Sequence, residues 1–293
     1  MRGSRATLSV LTLFGVGTLV MSTAPADVGC GLGEQAPAIQ RTDSVLALRL
    51  NVPAYRLEVR ERGALVRTVR VAVGMPRYPT PRGRYAIDYV VWNPWWRPPD
   101  AEWARNEKTT PPGWSNPVGR VKLHVTGLVF LHGSPWETSI GSAASHACVR
   151  LSNRDAIALA RLVHEHGSPS VRAETLDSLE ADTAATRQIP LPFAIPLDIV
   201  YEPAEILGDD LVIHPDIYRL AGRSMPTMTD MAIGAVLREG RDTSTLRLSV
   251  LRQAVRRGRA QTTSVTLDSL LATHTDSASS SRSATSRPAA AGR

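Results

Sequence analysis

Alternating apolar residues in the first half of the chain constrain its fold more than any other feature. Three segments place an apolar side chain at every second position: Leu46, Leu48, Leu50; Tyr55, Leu57, Val59; and Val69, Val71, Val73. A period of two puts these side chains on one face of a β-strand. The turn sequence ERG separates the second segment from the third, as in a hairpin. The segments RYAIDYVVW, VKLHV and LVFLHG also have strand character, so we expect a mainly β chain.

One helix is predicted in the middle of the chain. Ser152 and Asp155 form an S-x-x-D start signal, and Gly167 marks the end. The residues between them include an apolar side: Ile157, Leu159, Leu162 and Val163. The fold class is therefore expected to be a β-rich α+β arrangement with a central helix.

A long loop is predicted over residues 92–117, which are too rich in proline for a helix or a central strand. All six tryptophans of the chain fall in or near this loop: Trp92, Trp95, Trp96, Trp103, Trp114 and Trp136. Two interpretations remain open. The rings either pin the loop to the sheet by burial, or form a platform over a cleft that stacks on a sugar or a peptide stem.

The N-terminus has the layout of a cleaved secretory signal over residues 1–26. Two arginines precede the apolar run LSVLTLFGVGTLVM and the site STAPAD. That run is shorter than the roughly 20 residues that span a bilayer. We therefore expect an exported protein, in the periplasm or the cell wall. Residues 27–42 are expected to be a flexible leader, in which Cys30 is a candidate for lipid modification.

Positive charge is concentrated at the C-terminal end. The chain has a formal net charge of +7, and residues 223–293 hold eleven arginines against five acidic residues. Such a protein meets anionic wall polymers or lipid headgroups outside the cell, and we expect no nucleic-acid partner. Residues 223–293 are predicted to be a largely disordered basic tail. An amphipathic piece near 246–257, with Arg247, Arg252, Arg256 and Arg257, is its strongest candidate for peripheral contact with such a surface.

Cys148, in the sequence SHACVR, has four possible roles. A disulfide would need Cys30, a poor anchor in a leader. A zinc site could use His124, His132 and His146, but the usual ligand spacings are absent. A buried inert thiol is the third role, although the polar neighbours disfavour it. The fourth is a nucleophile, with His132 or His146 as base and positive potential from Arg150 and the start of the helix.

The segment FLHGSPWETSIGSAASHACVRLSN resembles the catalytic signature of the L,D-transpeptidases, the YkuD-type catalytic domain. That signature contains His-Gly, then Ser-Ile-Gly, then Ser-His-Gly-Cys-x-Arg. The resemblance extends upstream through VRVAVGMPRYPTPRGRYAI, WNPWWRPP and NPVG. Downstream it reaches PLDIVYEPAEILGDDLVIHPDIY. It covers roughly residues 43–220 as an ordered series of motifs.

The resemblance implies a mixed-sheet β-sandwich that cross-links peptidoglycan by cysteine acyl transfer from tetrapeptide stems, without cofactor or metal. Proximity along the chain favours His146 as the base, whereas the family pattern assigns that role to His132. The resemblance implies that Cys148 is the nucleophile, that His132 is the base, and that the carbonyl of Gly133 orients that base. It also implies that Ser145 and His146 shape the pocket floor and that the amides of Ala147 and Cys148 bind the oxyanion. Arg150 is implied to hold the site together or to bind an anionic stem. The implied domains are 43–174 for catalysis and 175–222 for a connector and a packed C-terminal strand pair.

Ala147 departs from the pattern, because the family has glycine before the cysteine. If this residue needs a positive φ, alanine costs on the order of 1 kcal/mol and could misalign the oxyanion amides. The alternatives to a transpeptidase are therefore a weak or inactive peptidoglycan-binding protein of the same fold, and an L,D-carboxypeptidase. An enzyme that links a wall protein to a stem uses the same chemistry. A secreted papain-like peptidase would need its helix to open at the cysteine itself, and the helix signal begins four residues later.

Overall fold

The computed structural model describes residues 45–271 of the chain. The strands are β1 Leu46–Asn51, β2 Arg56–Glu61, β3 Ala64–Arg70, β4 Val73–Gly74, β5 Gly83–Trp92, β6 Val121–Thr126, β7 Val129–Ser134, β8 Ala143–Ser145, β9 Val149–Ser152, β10 Arg187–Val200, β11 Ala204–Leu207, β12 Asp210–Ile213 and β13 Thr263–Thr266. The α-helices are α1 Asn153–Gly167, α2 Ala173–Ala181, α3 Met228–Arg238, α4 Leu248–Gly258 and α5 Leu267–Leu270. Short 3-10 turns lie at Glu102–Ala104, Glu137–Ser139 and Thr243–Thr245.

Eight strands form one mixed sheet in the order β3-β2-β1-β10-β5-β6-β7-β9. The pairs β1–β10 and β7–β9 are parallel, and the other neighbours are antiparallel. The prediction of a mainly β fold with a mixed sheet and a central helix is confirmed. The alternation explains the packing, since Leu46, Leu48 and Leu50 are all buried in the core of this sheet. Tyr55, in contrast, lies in the turn before β2 with a φ of 51°.

Helix α1 begins where the sequence predicts it. The Oγ atom of Ser152 accepts a hydrogen bond from the backbone amide of Asp155 at 3.0 Å. The helix buries Ile157, Leu159 and Val163 in the same core as the sheet. It follows β9 directly, and β9 itself begins one residue after Cys148.

The prediction of a connector followed by a final strand pair over residues 175–222 needs correction, because β10 belongs to the large sheet. This strand lies between β1 and β5 in the large sheet, and its partners include neither β11 nor β12. A domain boundary at residue 174 would therefore cut through the sheet. Its sequence, RQIPLPFAIPLDIV, is rich in proline, which indicates an edge or a turn. The strand accommodates this composition with a register shift between Pro190 and Ile195.

The expectation of a largely disordered tail from residue 223 is wrong for residues 223–271. Strands β11, β12 and β13 form a small antiparallel sheet, and α3, α4 and α5 pack around it. Residues 204–271, here named the C-terminal module, have their own core, which includes Leu211, Ile213, Leu251 and Leu270. Each short element contributes only a few apolar residues, so a composition-based reading misses the core that they share. The predicted amphipathic piece corresponds to α4.

Several predictions at the two ends lie outside the described residues. They are the secretory signal at 1–26, the leader at 27–42 with Cys30, and the tail at 272–293. Within residues 45–271, no helix is long and apolar enough to cross a membrane.

Candidate active site

A row of five residues crosses the large sheet and forms the floor of a cleft. In β10, β5, β6, β7 and β9, register pairing aligns Gln188 with Val91, Val91 with Lys122, Lys122 with His132, and His132 with Arg150. Residues paired across neighbouring strands project to the same face of a sheet. All five line one cavity of about 640 Å³, together with Cys148. We name these five residues the cleft row.

His132 is a buried imidazole with a defined tautomer. Its side chain is only 4% exposed in the folded chain. Its Nδ1 atom lies 2.7 Å from the carbonyl oxygen of Gly133, and because a carbonyl can only accept, Nδ1 carries the proton. Burial lowers the pKa of His132 to about 4, and the charges of Arg150 and Lys122 act in the same direction. At neutral pH the imidazole is therefore uncharged, with Nε2 as the nitrogen that can accept a proton.

Gly133 has no room for a side chain. A Cβ atom at this position would overlap the Oδ1 atom of Asn153. The same Oδ1 accepts the backbone amide of Arg120 at 2.9 Å, so Asn153 links the start of α1 to the chain that enters β6. The residue whose carbonyl contacts His132 is thus closely packed against Asn153.

Cys148 lies immediately before β9 and is a free thiol. Burial raises the pKa of its thiol, while the backbone amide of Phe130 and the charges of Arg150 and Lys122 partly offset the rise. The expected positive potential is present, but it does not outweigh burial. The S–H group donates to the carbonyl of Leu128 at 3.3 Å. Cys148 and His132 are therefore both neutral in the resting site.

The cysteine loop, residues 145–148, is held in place at its carbonyl groups. The hydroxyl of the buried Ser145 donates to the carbonyl of Cys148. The Oγ1 atom of Thr80 donates to the carbonyl of Ala147 at 2.9 Å and accepts the amide of Gly74 at 2.8 Å. In contrast, the backbone amides of Ala147 and Cys148 donate to no partner within residues 45–271.

Ala147 has a φ of 76°, inside the left-handed region. Ala147 therefore does adopt the positive φ that favours glycine at this position. A Cβ in this region costs on the order of 1 kcal/mol relative to glycine. Gly74 packs against it, because a Cβ at Gly74 would lie 3.0 Å from the Cα of Ala147. The loop keeps this strained conformation because its two carbonyls are fixed.

His146 is held in an aromatic stack and is not hydrogen-bonded to the thiol. Its ring is stacked on Trp103 at 3.9 Å between centroids and tilted against Tyr78 at 4.8 Å. Burial lowers the pKa of His146, and the charge of Arg150 contributes in the same direction. The side chain lines the same cavity as Cys148.

Arg150 ends the cleft row beside the cysteine. Its guanidinium lies over the ring of Trp136, 5.2 Å from the centroid. The Nε atom is buried and has no hydrogen-bond partner among the described residues. This leaves a positively charged donor group at one end of the cavity.

The tryptophan-rich loop, residues 93–119, is anchored at its base by buried polar groups. The side chain of Arg120 donates to Asn93 at 2.8 Å and to the carbonyls of Glu180 and Asp182. Four tryptophans line the cavity: Trp95, Trp96, Trp103 and Trp136. Trp92 is buried in the core, and Trp114 covers the guanidinium of Arg120. The tryptophans therefore have both roles: Trp92 packs in the core, whereas the four that line the cavity form a wall over the cleft.

Sequence reasoning did not single out several residues of this site. Thr80 supports the cysteine loop from 67 positions away, and the hydroxyl of Tyr218 accepts the amide of Thr80 at 3.0 Å and donates to the carbonyl of Gly74. Lys122 enters the cleft only through strand register. No local pattern marks these residues, because each contact joins distant segments.

The metal interpretation has little geometric basis. His124 lies 2.7 Å from Asp88 and stacks on Tyr89, so its ring is engaged elsewhere. In the range 45–271, no three His, Cys, Asp or Glu side chains are grouped to hold a metal ion.

Comparison with known proteins identifies similar chains. A family model described as the L,D-transpeptidase catalytic domain matches residues 47–175. A curated Bacillus licheniformis protein, "Putative L,D-transpeptidase YkuD", is 31% identical over 140 residues, which is 46% of this chain and 72% of that one. Solved structures include an L,D-transpeptidase from Mycobacterium smegmatis, at 20% identity, TM-score 0.35, with 53% of this chain and 58% of that chain covered. Another is L,D-transpeptidase 3 from Mycobacterium tuberculosis with a faropenem-derived adduct, at 15% identity, TM-score 0.34, with 53% and 60% covered. This chain spans about three fifths of the length of these two solved chains.

Proposed function

Because the chain belongs to the L,D-transpeptidase family, we propose that it transfers acyl groups from peptidoglycan tetrapeptide stems through a thioester on Cys148. The observation that carries this proposal is that Cys148 and a neutral His132, oriented by the carbonyl of Gly133, line one cavity. From the predicted secretory signal we also propose that this activity takes place outside the cytoplasm, in the periplasm or the cell wall.

In the first half of the reaction, the sulfur attacks the carbonyl carbon at the L-centre of the third stem residue. The S–H proton passes to Nε2 of His132 as the S–C bond forms. The C–N bond to the terminal D-alanine then breaks, and the leaving amine takes the proton from His132. In the second half, an acceptor gives its proton to His132, attacks the thioester, and the thiol is restored.

The neutral resting pair sets how the thiol is activated. A preformed thiolate is disfavoured because burial raises the pKa of Cys148. A protonated His132 is disfavoured because burial lowers its pKa. Proton transfer is therefore coupled to attack. The thiol must also exchange the Leu128 carbonyl for Nε2 of His132 before it can transfer its proton.

The amides of Ala147 and Cys148 are the candidates for the oxyanion site. They have no protein acceptor among the described residues. Thr80 holds the peptide plane that contains the Cys148 amide, through the carbonyl of Ala147. Fixed donors aimed at a developing oxyanion stabilise the transition state without reorganisation. Arg150 adds positive charge at the same end of the cavity.

The acceptor decides which product forms. A stem amine gives a cross-link, water gives an L,D-carboxypeptidase product, and a protein amine gives a wall-anchored protein. The purified protein is incubated with disaccharide-tetrapeptides, and the products are resolved by mass spectrometry. We expect dimers with released D-alanine in the wild type and neither in Cys148→Ala. Absence of both products in the wild type would reject the proposed reaction.

One observation favours a second candidate, a peptidoglycan-binding protein of the same fold with little or no turnover. Ala147 is strained, and it adjoins the two amides that the reaction needs. This candidate predicts sacculus binding that survives Cys148→Ala and a thiol that forms no adduct with a carbapenem-type β-lactam. A mass adduct on the wild type that is missing from Cys148→Ala would eliminate it.

A further inference from the structure

Lys122 is the one member of the cleft row whose charge the proposed reaction does not use. The chain has 34 lysine and arginine residues together, and only Lys108 and Lys122 are lysines. Lys122 pairs directly with His132 across β6 and β7. Its ammonium group lies 4.4 Å from the centroid of the Phe130 ring, inside the cavity that contains Cys148.

This ammonium group has no carboxylate partner in the described part of the chain. The ion pairs of residues 45–271 do not include it. Its electrostatic neighbours are Cys148 and the like-charged Arg97. The side chain is half-buried, and a half-buried charge without a counter-ion carries a desolvation cost. A ligand that brings a negative charge into the cleft would offset that cost.

The position of Lys122 fits a group close to the reacting carbonyl. Directly paired residues of neighbouring antiparallel strands have Cα atoms about 4.5–5.5 Å apart. The lysine side chain therefore reaches the space beside His132, on the side opposite Arg150. In a tetrapeptide stem, the carboxylate of the fourth residue is one residue beyond the bond that breaks. In a pentapeptide stem the same carbon is part of a neutral amide.

We propose that Lys122 binds a carboxylate of the donor stem and thereby selects tetrapeptides whose fourth residue is free. This inference rests on the proposed function and adds the residue that sets its donor specificity. A second source of the same chemistry is a carboxylate on the side chain of the third residue, where that residue is a diamino diacid. The experiment separates the two sources.

The test compares selectivity ratios, because a ratio cancels any effect of Lys122 on the thiol itself. kcat/KM for D-alanine or D-alaninamide release is measured with the tetrapeptide acid, the tetrapeptide C-terminal amide, and a tetrapeptide acid amidated on the third side chain. The proteins are the wild type, Lys122→Met, Lys122→Arg and the exposed control Lys108→Met. Circular dichroism and thermal unfolding check that each variant is folded.

We expect Lys122→Met to lower the preference for the acid over the C-terminal amide by about 10- to 100-fold, the range of a charge-assisted hydrogen bond. Lys122→Arg should keep most of the preference, and Lys108→Met all of it. Loss of preference only against the side-chain amide would assign the carboxylate to the third residue. An equal loss on all substrates, or no loss, would overturn the proposal.

The inference can fail separately from the proposed function. If the wild type releases nothing from any stem, the reaction is rejected. Calorimetric binding of the tetrapeptide acid, its C-terminal amide and its side-chain amide to Cys148→Ala, with and without Lys122→Met, then still tests the carboxylate site. Equal binding of all three peptides to Cys148→Ala would overturn it.

Discussion

The large sheet and the C-terminal module have different kinds of interior. The core of the large sheet contains polar groups with assigned partners, among them His132, Arg120, Asn93 and Ser145. The buried polar side chains of the module among the described residues are Glu205 and His214, and both lie where the module meets β1 and β2. Polar interiors require particular partners, whereas apolar interiors require volume. Substitutions at the polar positions of the sheet are therefore expected to change chemistry as well as stability, whereas substitutions in the module core are expected to change stability alone.

The two regions meet in a buried network of charges. Arg56 contacts Glu205 at 2.6 Å and Glu58 at 3.0 Å, and His214 contacts Glu205 at 2.7 Å. Burial alone would raise the pKa of Glu205, but hydrogen bonds from His214 and Arg56 lower it to about 2. Removing one member of such a network leaves an uncompensated buried charge. The contact between the regions thus depends on ion pairing as well as on apolar area.

The largest effect is expected from Leu251→Ala in the core of the module. Leu251 is fully buried, and truncation leaves a cavity, so we expect the free energy of unfolding to fall by about 2–5 kcal/mol. Below the melting temperature, kcat should stay within about twofold of the wild type, because the cleft row is untouched. Denaturant unfolding and a D-alanine release assay measure the two quantities.

Leu248→Ala is the matched control for this variant, since Leu248 lies on the same helix and is 45% exposed. It should leave both quantities unchanged. A large loss of kcat in folded Leu251→Ala would break the separation of roles between the two regions.

Acid should destabilise the sheet before it affects the charged network. His132 and His164 have folded pKa values of about 4, below the ordinary 6.5, because both are buried. As pH falls from about 6.5 to 4, these histidines bind protons in the unfolded state but stay neutral in the folded state. Each histidine then costs up to roughly 3 kcal/mol of folding stability. The contribution of Glu205 is present above its ordinary pKa of 4.5 and is lost only as pH falls through about 2.

His164→Gln tests this assignment, because glutamine cannot titrate and can still accept the hydrogen bond from Trp92. The slope of unfolding free energy against pH between 6.5 and 4 should fall by about half relative to the wild type. The acid limb of kcat/KM should stay near pH 4, since it reports His132. An unchanged stability slope would contradict the role given to burial.

A smaller effect is expected from Ala147→Gly in the cysteine loop. Glycine relieves the positive φ, so the free energy of unfolding should rise by up to about 1 kcal/mol. If alanine also displaces the oxyanion amides, the acylation rate with a carbapenem-type β-lactam should increase. Ala144→Gly, three residues earlier on β8, is the control and should show neither gain. A slower Ala147→Gly would show that the alanine favours the active loop.

The smallest effect concerns the outer face of α4, which we propose holds the protein on an anionic wall or membrane. Arg252, Arg256, Arg257 and Arg259 are exposed, and Leu251 and Val255 on the other side are buried. Arg252→Glu with Arg256→Glu should weaken salt-sensitive binding to sacculi and leave turnover on soluble stems unchanged. Exposed charges are screened over about 8 Å at physiological ionic strength.

Arg154→Glu with Arg172→Glu, two exposed charge reversals outside the C-terminal module, is the control with the same change in net charge. Equal binding by all variants would leave the surface without a role. Truncation at Gly222 is a poor test, because it removes the helices that cover Leu211 and Ile213.

The sequence predicts what is local. Period-two alternation predicts most of the strands, and Ser152 with Asp155 predicts the start of α1. Resemblance to a family indicates Cys148, His132 and Gly133 as site residues. In the structure Cys148 and His132 line one cavity, and His132 contacts the carbonyl of Gly133. The prediction fails where distant segments meet. Lys122 joins the cleft through register, and Tyr218 reaches Thr80 across 138 positions. The apolar residues of the module core are divided among several short elements, so none of these elements has a pronounced apolar pattern in the sequence.

The central place of β10 has a consequence for how the protein is made. This strand is the eighth of the large sheet to leave the ribosome, yet it fills the gap between β1 and β5. A nascent chain that ends at residue 175, where the family match stops, has two open strand edges that can pair with other chains. Closing the gap joins residues about 150 positions apart, and such non-local pairing is slow. Biogenesis therefore has a vulnerable interval between synthesis of the catalytic cysteine and arrival of the strand that completes the sheet.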